Sequence, residues 1–115
     1  MIDIEMVLGT SYSWWVRWET RDDLGVDTPK DLTGATARCQ LRSAGGDLLV
    51  DLTAASGGCV IADPEGGTIL MTLVPADTAG KSWREAVWAV EVTLPDSSVY
   101  ELARGRMRFL SEIVR

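Results

Sequence analysis

Five tryptophans, and arginines that alternate along one late stretch, are the side chains of this sequence with most to offer a partner. The usual makings of an enzyme are missing. There is no histidine, which removes the commonest general acid–base, the Ser-His-Asp and Cys-His nucleophile systems, and most zinc and copper sites. Cys39 and Cys59 are the only cysteines. Buried thiols in strands are the expectation; a disulfide is the alternative, disfavoured by synthesis in a reducing cytoplasm. Asp22, Asp23, Asp27 and Asp31 could ligate calcium, but EF-hand spacing is absent and they read as a solvated acidic loop. Among 17 acids some pair suited to glycoside hydrolysis is always available, so that signal is empty. No catalytic residue, metal site or cofactor is expected, and composition points to binding or structure.

The binding candidates follow from parity. Tyr12, Trp14, Val16 and Trp18 alternate with Ser13, Trp15, Arg17 and Glu19. Trp14, Trp18 and, in a later run, Trp88 then face inward as core. Trp15 points outward beside Arg17, and Trp with Arg is a common pair at interface anchors. Trp15 could also stack on a sugar, or be exposed without a role. Trp83, in a turn region, has the same ambiguity. Arg104, Arg106 and Arg108 alternate with Gly105, Met107 and Phe109, so period two puts the three guanidiniums on one face at roughly 6.7 Å spacing. They are either the solvated face of an edge strand or a docking ridge for an acidic partner. A bulge at Gly105 would turn Arg104 away from the other two. The first 31 residues supply such acids: Asp3, Glu5, Glu19, Asp22, Asp23, Asp27 and Asp31. Opposite charges at opposite ends of the chain suit repeated copies in an assembly.

Short strands must carry these residues. Ile2, Ile4, Met6 and Leu8 oppose Asp3 and Glu5; Ala35 to Leu41 alternate with Thr36 to Arg42; Leu48, Val50 and Leu52 follow a Ser-Ala-Gly-Gly turn. Cys59–Ile61 is a short strand, Asp63-Pro64-Glu65-Gly66 fits a type I turn, and Ile69, Met71 and Leu73 share a face. Pro75–Gly80 is a single helical turn at most, bounded by proline and glycine. Trp88–Leu94 is a strand, Pro95–Ser98 a hairpin turn, Val99–Ala103 a strand, and a last strand with Met107 and Phe109 ends at Arg115. Residues 20–34 lack periodicity and read as a long connection. Eight or nine strands without a crossover helix predict an all-β, antiparallel sandwich occupying residues 1–115 as one domain.

The remaining numbers bound the class. With 115 residues and 46% hydrophobic content, the chain can bury a core and is not intrinsically disordered. A net charge of −6 argues against nucleic acid and anionic membrane surfaces as partners. The amino terminus has acids where a signal peptide has bases, so synthesis in a cytoplasm is expected.

Several stretches, in order, resemble small virion proteins of tailed bacteriophages. Asp31-Leu32-Thr33-Gly34-Ala35 is similar to their entry to a strand of mixed apolar and basic residues, here continued by Cys39-Gln40-Leu41-Arg42. Gly67–Leu73 resembles a strand of that family, and Pro75–Ala79 the turn that follows it. Val90–Asp96 resembles the penultimate hairpin; Gly105-Arg106-Met107 and Ile113-Val114-Arg115 resemble the final strand. The family has glycine after the hairpin Asp, where this chain has Ser97. The chain is also similar to the amino-terminal domain of lactococcal-phage baseplate upper proteins. The resemblance covers most of residues 9–115. It implies an immunoglobulin-like sandwich, a non-enzymatic tail, baseplate or fibre-attachment role in the virion, and contacts with other virion proteins in a symmetric, multi-copy assembly. It brings no catalytic residues. Capsid decoration, head completion or binding of a host glycan are the alternatives.

Overall fold

A computed structural model describes residues 2–111. Ten strands and one helical turn follow in order: β1 Ile2–Val7, β2 Tyr12–Arg17, β3 Glu19–Arg21, β4 Asp27–Pro29, β5 Thr36–Arg42, β6 Leu48–Thr53, β7 Cys59–Asp63, β8 Thr68–Leu73, α1 Pro75–Thr78, β9 Glu85–Thr93 and β10 Val99–Leu110. One sheet has the order β1-β10-β9-β5-β6, a second β2-β8-β7, and β3 and β4 pair as a separate two-stranded ribbon. The inward residues of the two larger sheets form one core. Trp14, Val16, Ile69, Met71 and Cys59 come from the smaller sheet; Cys39, Leu41, Trp88, Val90, Val92 and Met107 come from the larger. The architecture is all-β and sandwich-like, and period two is the cause: each strand has one apolar face to bury. At its centre the Trp14 and Trp88 rings meet edge-on, 5.7 Å between centroids.

Three expectations need correction. The larger sheet is mixed, not antiparallel, because β1 runs parallel to β10. Nearly the whole chain connects these two strands, so no short hairpin dictates their relative direction. Secondly, the two strands expected at 99–103 and around 107–109 are one. β10 is continuous, with its register shift between Glu101 and Ala103. Gly105 carries no bulge; it is buried in regular pairing between Trp88 and Ile2. The expected run to Arg115, with the Ile113–Arg115 resemblance, lies outside the described residues. Thirdly, residues 20–34 are not merely a connection, since they contain most of the β3–β4 ribbon. Its strands are three residues each and almost wholly exposed, so no apolar alternation marks them.

α1 is the single turn expected. Its Thr78 is fully buried, and the Thr78 Oγ1 accepts from Gly9 N at 2.8 Å, tying this corner to the β1–β2 turn.

Candidate functional site

The six candidate residues occupy separate regions rather than one site. Trp15 and Arg17 stand on the outer face of the three-stranded sheet. Trp15 is 62% exposed and lies in one cross-strand row with Leu70 and Val60, both half-buried. Ser13 and Thr72 form the next row, their hydroxyls 3.3 Å apart. Arg17 donates from Nε to the Gly66 carbonyl at 3.2 Å and lies 3.9 Å from Glu19 Oε1. Trp83 is not a free platform. It is half-buried, 5.7 Å from the Phe109 ring, with Lys81 Nζ 5.5 Å from its centroid. Trp18 also departs from its expected place. It lies just past β2, half-buried against Tyr100 at 5.4 Å rather than in the core.

Arg104, Arg106 and Arg108 do share the outer face of the five-stranded sheet. The acids that approach them belong to the same chain. Parallel pairing sets Asp3 beside Arg106 and Glu5 beside Arg108, with N···O distances of 3.8 and 3.7 Å. Arg104 donates to Glu101 at 2.6 and 2.9 Å. These pairs are solvent-exposed, so each contributes about 0–1 kcal/mol and leaves its arginine free to exchange partners.

Across β9 from this column stands a second one that sequence reading treated only as the polar side of a strand. Arg38, Gln40 and Arg42 face Glu91, Ala89 and Val87, which in turn face Glu101, Arg104 and Arg106. Small Ala89 and Val87 between long side chains leave an open trough of about 620 Å³, lined by Arg38, Gln40, Arg42, Glu101 and Arg104 among others. Arg38 makes a bidentate pair with Asp51 at 2.8 and 2.7 Å, and this holds the Asp51 carboxyl below its ordinary range. Arg42 instead donates to neutral oxygens, Gln40 Oε1 at 2.8 Å and the Gly46 carbonyl at 2.9 Å. The signal for this trough was present: an Arg-x-Gln-x-Arg run whose strand neighbour alternates through Val87 and Ala89.

The cysteines are both free and fully buried, in β5 and β7. Burial pushes the Cys59 thiol up to about 11, and burial with Cys59 as a neighbour raises Cys39 further, so neither is a ready thiolate nucleophile. Among the described residues no group of His, Cys, Asp and Glu is placed to hold a metal ion, and no helix is long and apolar enough to cross a membrane. The arrangement offers two outward sheet faces, one apolar-aromatic and one arginine-rich. No protein-family model matches the chain, and no curated protein matches it in sequence.

Proposed function

We propose that this chain is a non-enzymatic structural component of a tailed-phage virion, an immunoglobulin-like sandwich that serves the tail, baseplate or fibre attachment by binding other virion proteins in multiple copies. The observation that carries the reading is the order of the resembling stretches, each of which, within the described residues, falls on a discrete element. The first is the entry to β5 and β5 itself, the next are β8 and α1, and the last are the β9–β10 hairpin and β10. The exposed Trp15 row and the arginine-rich face supply contact surfaces of the kind such a module needs. The protein would be made in the host cytoplasm and end in the particle.

Mass spectrometry of purified particles from the phage or prophage encoding this chain tests the reading. The expected result is stoichiometric recovery with the particle, with gold-labelled antibody at the tail. Label on the head would favour capsid decoration or head completion; absence from particles would overturn the virion role.

A host-glycan role has one observation in its favour, Trp15 beside the Ser13 and Thr72 hydroxyls. In that case host glycans shift tryptophan fluorescence saturably, and Trp15→Ala removes the shift.

A further inference from the structure

The β3–β4 ribbon is an arm. Its root is fixed to the body and its tip is free of it. At the root, Trp18 N donates to the Gly67 carbonyl and Lys30 N to the Trp18 carbonyl, each at 2.9 Å. Trp18 packs on Tyr100, and Lys30 Nζ lies 5.7 Å from its ring. Beyond the root every residue from Glu19 to Thr28 is exposed. The molecule measures 50 × 29 × 26 Å, with a radius of gyration of 15.2 Å, where about 13 Å is usual for a compact chain of this length.

A two-stranded ribbon is marginal alone, yet this one is internally organised. Arg21 and Asp27 form a bidentate pair across it at 2.8 and 3.2 Å. Asp22 Oδ1 accepts from both Leu24 N and Val26 N at 2.9 Å. The ordering holds Leu24 out at 89% exposure and Val26 at 54%. Asp23 sits beside them with no hydrogen bond to another described residue. A pre-organised tip that leaves most of its apolar surface exposed is built like an insertion element.

The trough on the five-stranded sheet joins an apolar floor to a rim of mixed charge in which one cation, Arg42, rests on neutral oxygens. Its floor is Val87 and Ala89, and around it stand Arg38, Arg42 and Arg104 with Gln40, Glu91 and Glu101; Asp51 holds Arg38 and Glu101 holds Arg104. Arg42 is the wall guanidinium without a carboxylate partner among the described residues. The tip presents Leu24 and Val26 flanked by Asp22 and Asp23.

We infer that the arm tip of one copy of this chain docks in the trough of the next, Leu24 on the Val87–Ala89 floor and Asp23 at Arg42. The contact joins two different patches of one chain, so it is heterologous and runs head to tail, closing into a ring or extending as a filament. A hairpin tip covers far less than the ~1,200–2,000 Å² of a standard interface, so a single contact is weak and gains strength by repetition. The inference rests on the multi-copy structural role proposed above and names the surface through which copies meet.

Sedimentation velocity of the full-length protein into the high-micromolar range tests it. Wild-type mass should rise with concentration, more so at low salt. Leu24→Ser on the arm or Arg42→Glu in the trough should each weaken association at least about ten-fold. Mixing those two variants should give discrete heterodimers, because each retains the half the other has lost. Asp23→Arg combined with Arg42→Glu in one chain should restore association. A wild type that stays monomeric, or one whose association neither single variant weakens, overturns the arm-in-trough contact. Recovery of the chain from particles alongside either result would leave the virion role standing without it.

Discussion

Ser97 is, among the described residues, the one non-glycine with a left-handed backbone, at φ 73°. It closes the β9–β10 hairpin, where Ser97 N donates to the Leu94 carbonyl at 2.9 Å and Leu94 N to the Ser98 carbonyl at 2.8 Å. Those bonds describe a three-residue loop whose last position is left-handed and normally glycine. The sequence had flagged this place: the resembling family puts glycine there. A side chain in that region costs roughly 1–2 kcal/mol, offset in part by the extra freedom glycine brings to the unfolded chain. Ser97→Gly should therefore raise stability by about 0.5–1 kcal/mol, read as a higher urea midpoint at unchanged slope. A lower midpoint would mean that the Ser97 side chain itself holds the turn.

For the elements, the root of the arm crosses the body closely at Gly67. Gly67 has φ 66°, and a Cβ there would lie 2.6 Å from the Trp18 carbonyl oxygen and 2.8 Å from that of Lys30. Both obstructing atoms are backbone, so no side chain can swing aside. Gly67→Ala should cost about 1–3 kcal/mol and make residues 19–29 the first site of proteolytic nicking. A variant with wild-type midpoint and wild-type nicking would show that the root is not pinned there. The elements legible in the sequence were those with one buried face: Trp14 and Val16 in β2, or Ile69, Met71 and Leu73 in β8, alternate because alternate positions are inside. The arm has no inside, so Glu19–Pro29 gave no such signal. Its remaining mark was the opposite charge of Arg21 and Asp27, at mirror positions about Leu24. The three arginines of β10 were placed on one face correctly, since that needs only local period. Their partners Asp3 and Glu5 could not be paired in advance, because strand adjacency across the whole chain is a tertiary choice.

The whole molecule carries its resolved carboxylate shifts in one direction. Asp27 and Asp51 are held down by Arg21 and Arg38, and Asp31 and Asp96 by hydrogen bonds from Thr33 and Ser98, all below the ordinary 3.8. Groups depressed on folding add stability that is present above the unfolded value and lost as pH falls through the folded one, because there the unfolded chain binds more protons. The urea midpoint should thus hold at mildly acidic pH and drop below about pH 4. A midpoint unchanged in strong acid would show that these exposed contacts add nothing. The parallel pairing of β1 with β10 sets an order in time. During synthesis, the strand at residues 2–7 emerges well before residues 105–110 and must wait for them before it has a hydrogen-bonding neighbour. Contacts so distant in sequence pay their loop-closure entropy before any return, which slows folding. Until then the nascent chain presents Ile4 and Met6 unburied, and alternating Asp3 and Glu5 with them keeps that waiting strand charged and averse to pairing with a neighbouring ribosome's product.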